Sequence, residues 1–130
     1  MTITGHSASE RTIGIAEFIR AIDGLPSDPP MVRPGAWYRT QKEHWLGWLH
    51  DYEGPGAYGR AIGRSRDARF AYNHIVCPGM LLWLGEAAGV EPERVAAARA
   101  AAEGLPTQMH QAAAIRRHVP WSVVYAALFG

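Results

Sequence analysis

The chain has 130 residues, a length that suits one domain whose core needs no disulfide or metal staple. Hydrophobic residues at 48% and charged residues at 19% exclude a disordered chain over most of the length, and a formal net charge of +1 gives the whole molecule no general attraction for nucleic acid. The single cysteine excludes an internal disulfide and suits a reducing cytoplasm, and no apolar run approaches a membrane span or a secretory leader.

Residues 1–9 are small and polar. From Glu10 to Ile22 the apolar residues Ile15, Phe18, Ile19 and Ile22 recur at helical spacing, which predicts a short amphipathic helix ended by Gly24. "GLPSDPPMVRPG" then carries four prolines in twelve residues and reads as an extended linker. Residues 1–36 are therefore expected to form an N-terminal arm, and residues 37–130 a helical body. In the body, Thr40 and Glu43 stand at capping-box spacing, and Trp45, Leu46, Trp48, Leu49 and Tyr52 make a wide apolar face. Gly54 and Pro55 stop that helix. Ser65 can cap the next, which carries Phe70, Tyr72, Ile75 and Val76 before Pro78 breaks it. Further helices are expected from Pro78 to Ala88, with Gly89 as a left-handed stop, and from Pro92 to Gly104. A helix capped by Thr107 runs to about His118, and a last one starts at Pro120. Strand signals are almost absent. The expected fold is all-α: a bundle of five or six short helices that includes a helix-turn-helix-like hairpin.

The hairpin lies in "LLWLGEAAGVEPERVAAA". Gly85 is small enough for two helices to cross, Gly89 suits the turn, and Val90 and Val95 can pin the second helix. A DNA-binding reading follows from the spacing. The groove-facing residues oppose it, because Glu91 and Glu93 repel phosphates and the alanines offer no hydrogen bonds to base edges. Arg94 and Arg99 remain as backbone contacts.

Gly54, Gly56, Gly59 and Gly63 alternate with Arg60 and Arg64, and Arg66 and Arg69 follow. Glycine lets a backbone approach a ligand closely, arginine forks grip phosphate in bidentate fashion, and a helix start favours an anion. Tyr58 and Tyr72 can stack on a base. Asn73 and His74 continue the polar run, and the acid-free C-terminal segment adds Arg116 and Arg117. The ten residues other than glycine form the candidate phosphate or nucleotide site. The spacing matches neither G-x-x-x-x-G-K-[ST] nor G-x-G-x-x-G. The competing reading is a loop whose arginines pair with Asp51, Glu53 and Asp67.

His74 and Cys77 stand three apart, as two zinc ligands can, with His44, His50, His110 or His118 to complete a set. No second His/Cys pair supports this, and a structural thiol and histidine fit the pattern better, so no metal is assigned. Cys77 with His74 as base, and acid/base pairs drawn from Glu43, His44, His50, Asp51 and Glu53, lack supporting spacing. The chain reads away from an enzyme, and no cofactor is implied.

"TQKEHWLGWL", "YEGPGAYGR", "YNHIVCPGMLLWLGEAAGV" and "AAIRRHVPW" resemble stretches of a family of small proteins encoded by phages and prophages. The resemblance covers most of residues 38–121 and none of the N-terminal arm. It brings no activity and no site residues with it. It implies a setting, the host-cell cytoplasm, and a role in acting on host defence or regulation. With the residues above, the leading expectation is a non-enzymatic binding protein for a phosphorylated, nucleotide-like ligand, sequestering a host signal and assembling as a homo-oligomer. The alternatives are a helix-turn-helix DNA-binding regulator and an inhibitor that binds a host protein.

Overall fold

A computed structural model of the chain describes residues 10–27, 29, 36–53, 67–74 and 77–130. Among the described residues seven helices form a compact bundle and no strand occurs: α1 Ile15–Asp23, α2 Ala36–Glu53, α3 Ala68–His74, α4 Pro78–Ala87, α5 Pro92–Ala102, α6 Gln108–His118 and α7 Trp121–Phe129. Helix α1 packs on α2, α2 on α4, α4 on α5 and α6, α5 on α6, and α3 on α7.

The helix ends follow the punctuation. Pro78 and Pro92 occupy first turns, where the missing N–H costs nothing. The Thr107 hydroxyl accepts the His110 backbone N–H at 3.1 Å, and Pro120 is the N-cap of α7. Gly89 and Gly104 adopt φ of 84° and 80°, the left-handed region that a side chain strains.

Three boundaries differ from expectation. Helix α1 starts at Ile15, not Glu10, because the Ile13 carbonyl accepts the Ala68 N–H at 2.8 Å and Gly14 bridges Asp67. A tertiary pairing thus holds residues 10–13 extended. Its C-terminal carbonyls are satisfied from outside: Lys42 Nζ donates to Asp23 O at 2.9 Å and Leu25 O at 2.8 Å. Helix α2 starts at Ala36, so Thr40 lies inside it rather than at its cap. Ser65 lies outside the described residues, and Asp67 does the capping of α3, its Oδ1 accepting the Phe70 N–H at 2.7 Å.

The core is one cluster that runs from Ile13 to Val124 and includes the helix of the N-terminal arm. Phe18 is fully buried and meets Trp45 and Trp121 edge-on, at ring-centre distances of 5.5 and 5.6 Å. Trp45 meets Trp83 the same way at 6.2 Å. Each such pair adds about 0.5–1.5 kcal/mol to the burial of its rings. The tryptophans Trp45, Trp83 and Trp121 therefore serve the core, as the amphipathic pattern of α2 implied for Trp45.

The hairpin of α4 and α5 closes tightly over Gly85. A Cβ placed there would lie 3.3 Å from Val95 Cγ2 and 3.8 Å from Val119 Cγ1. Val90, Val95 and Ala98 are buried and pin α5. Beside them Glu86 is buried. Its Oε2 meets Arg99 at a long 3.5 Å, and its Oε1 has no partner among the described residues.

Candidate functional site

The extended segment 10–13 passes between the start of α3 and the start of α7. Two sets of contacts hold it there: the pairing of Ile13 with Ala68, and the Arg11 N–H donating to the Tyr125 hydroxyl at 3.1 Å. Between these three pieces of chain lies a cleft of about 420 Å³. Glu10, Arg11, Asp67, Arg69, Asn73, Trp121 and Ser122 are among its walls. The volume falls in the range of small-ligand sites, about 300–1,000 Å³.

Arg69 and Asn73 are four apart on α3, so both side chains leave the same face of that helix. Arg69 is exposed and makes no ion pair with a described residue. Across the cleft, the backbone N–H groups of Trp121 and Ser122 begin α7. The first intrahelical bonds there are donated by Val123 and Val124 to the Pro120 carbonyl, so the two earlier donors point out of the helix. Arg11 is engaged. Its Nη1 and Nη2 donate to both carboxylate oxygens of Glu17, at 2.9 and 2.6 Å, and its guanidinium carbon sits 5.9 Å from the centre of the Phe129 ring. Those hydrogen bonds hold the Glu17 carboxyl below its ordinary value.

Of the ten expected site residues, Arg69 and Asn73 meet in this cleft. Tyr58, Arg60, Arg64 and Arg66 lie outside the described residues. Tyr72 is fully buried, with its ring against Trp121 and its hydroxyl donating to the Val119 carbonyl, which leaves no ring face for a base to stack on. Burial pushes its hydroxyl well above the ordinary value of 10. The cause of this placement is periodicity: Ala68, Ala71 and Tyr72 share the inward face of α3. Arg116 does not line the cleft. Its Nε donates to the Tyr72 carbonyl at 3.0 Å, and burial lowers its guanidinium from the ordinary value. Arg117 is exposed and does not line the cleft either. His74 is exposed with its ring 4.3 Å from that of Phe70.

The cleft also uses residues that no local pattern marks. Glu10, Trp121 and Ser122 come from opposite ends of the chain. The pairing of residues 13 and 68 brings Glu10 beside α3, and the packing of α7 on α3, with Trp121 against Tyr72, brings Trp121 and Ser122. The backbone candidates of the hairpin are committed: Arg94 meets Glu91 at 3.4 Å and donates to the His118 carbonyl at 3.0 Å, and Arg99 faces Glu86. Among the described residues no three His, Cys, Asp or Glu converge as a metal site, and no helix is long and apolar enough to cross a membrane. Comparison with protein-family models, with curated proteins and with solved structures gave no match, so any functional reading rests on the chemistry of the cleft itself.

Proposed function

We propose that this is a non-enzymatic binding protein that holds a small anionic, phosphorylated, nucleotide-like ligand in the cleft between residues 10–13, α3 and the start of α7. The observation that carries the reading is the meeting of Arg69, an exposed guanidinium with no described ion-pair partner, with Asn73, Ser122 and the N–H groups at the head of α7 that have no acceptor among the described residues. A guanidinium fork opposite helix N–H groups is a strong arrangement for a phosphate. In a phage setting, the consequence of such binding is sequestration of a host signalling nucleotide. Calorimetry with a panel of linear and cyclic nucleotides tests the reading. Heat that saturates with wild type and disappears with Arg69→Ala supports it. No heat from any nucleotide at tens of micromolar rejects it.

A second reading, DNA binding by the α4–α5 hairpin, is favoured by the close approach at Gly85 and the left-handed Gly89. The outer face of α5 opposes it, since Glu91 and Glu93 are exposed there with Ala96, Ala97 and Ala100. A gel shift at low ionic strength, where counterion release is most favourable, distinguishes the two. A shifted band abolished by charge reversal at Arg94 supports DNA binding, and none at any salt concentration removes it.

A further inference from the structure

The extended segment that walls the cleft changes character along its length. Ile13 is buried in the core, and its carbonyl accepts the Ala68 N–H at 2.8 Å. Arg11 and Thr12 are exposed, and Glu10 is half-buried. Among the described residues, the contacts that tie down this outer part converge on Arg11. Its backbone N–H donates to the Tyr125 hydroxyl, its guanidinium forks onto the Glu17 carboxylate, and the same group lies over the Phe129 ring. The side chains of the ion pair are 57% and 34% exposed, so water and salt screen much of its attraction. Exposed contacts of this kind break locally far more often than a core opens. Glu17, Tyr125 and Phe129 are not walls of the cleft, so they hold the segment from behind.

We propose that residues 10–12 form a strap that pivots at Ile13 and closes the cleft over its ligand, with Arg11 as the latch on Glu17 and Tyr125. The structure shows the strap closed. Swinging it away removes Glu10, Arg11 and Thr12 from the wall and leaves α3 and the start of α7 in place. A ligand that touches those three residues meets them only when the strap is closed, so binding shifts the population towards the closed state. Closure over a ligand rests on the anion-binding reading of the cleft. The pivot and the latch are properties of the free protein and stand apart from it.

The test is backbone amide exchange of the full chain, read by NMR, with AMP as the phosphorylated probe. In the free protein, Glu17→Ala should speed exchange of the Arg11 amide about two- to fivefold, the effect of losing an exposed ion pair. Tyr125→Phe removes the acceptor and keeps the ring, and should speed the same amide about two- to tenfold. Neither change should move the Ala68 amide, which bonds to Ile13 at the pivot. Saturating AMP should slow the Arg11 amide of the wild type at least about tenfold, because a bound ligand holds the strap shut. An Arg11 amide indifferent to both substitutions overturns the latch. Arg11 and Ala68 amides that speed up together overturn the pivot. Heat from AMP in calorimetry with no slowing at Arg11 overturns closure and leaves the anion site standing. No heat from AMP removes closure over that nucleotide together with its binding, while the exchange ratios still decide the pivot and the latch.

Discussion

Phe18→Ala should remove a large part of the stability of the whole protein, although residue 18 belongs to the N-terminal arm. Phe18 is fully buried and lies edge-on to two tryptophans from different helices, Trp45 of α2 and Trp121 of α7. Truncating such a ring typically costs about 3–5 kcal/mol, because transfer free energy is lost and the cavity does not fully collapse. A domain of ordinary stability has about 5–15 kcal/mol in total, so at mid-range values, about 4 of about 10 kcal/mol, the substitution removes roughly 40% of it. With a urea slope near 2 kcal/mol/M, the unfolding midpoint should fall by roughly 2 M. The assay is urea unfolding followed by tryptophan fluorescence, with Arg20→Ala as control. Arg20 is exposed on the same helix and should change stability by less than about 0.5 kcal/mol. A Phe18→Ala loss below about 1 kcal/mol, with an unchanged slope, would refute the reasoning: α1 would then lie against the surface instead of completing the core. The same substitution also loosens Trp121, a wall of the cleft, so it should weaken ligand binding more than its distance from Arg69 suggests.

Alkaline stability should depend on Tyr72. Its hydroxyl stays protonated in the folded protein above the value of 10 at which an exposed tyrosine ionises, so the unfolded state loses its proton first. The contribution is complete below about pH 10 and declines as the pH rises beyond it; Tyr72→Phe should lower stability at pH 7 by about 1–2 kcal/mol, leaving the Val119 carbonyl unpaired, and should flatten the decline above pH 10 in a urea series. Two glycines should respond with opposite signs. Gly89→Ala strains a left-handed turn and should cost about 1 kcal/mol or more, whereas Gly47→Ala, exposed inside α2 with nothing near its Cβ position, should gain up to about 1 kcal/mol, both read from thermal midpoints.

The sequence made the helical body largely legible because its punctuation is local. Pro78, Pro92, Thr107 and Pro120 start helices for reasons contained within one turn, and Gly89 and Gly104 end them by the sign of φ. The misses were tertiary. Residues 10–13 read as helix because their spacing permits it, yet pairing with Ala68 holds them extended. Lys42, which satisfies the end of α1, acts across 17 and 19 residues of chain. Thr40 looked like a cap because Glu43 follows at the right spacing, but the residues before it contain no breaker, so the helix extends through it to Ala36. The candidate site divided the same way. Arg69 and Asn73 were legible as polar residues of the arginine-rich stretch and the run that follows it; the helix then leaves Arg69 exposed and Asn73 half-buried. Tyr72 was read for its chemistry, although its position in the apolar repeat of α3 places it inside. Glu10 and Ser122 carried no signal, because a cleft between segments more than a hundred residues apart has no local pattern.

The most direct test of the account is where a ligand lands. In a titration of ¹⁵N-labelled protein with AMP, followed by amide chemical shifts, the largest perturbations should fall on Arg69, Asn73, Trp121 and Ser122, and Arg69→Ala should abolish them. Saturable shifts on the outer face of α5, with those four amides unmoved, would contradict the assignment of the cleft as the binding site.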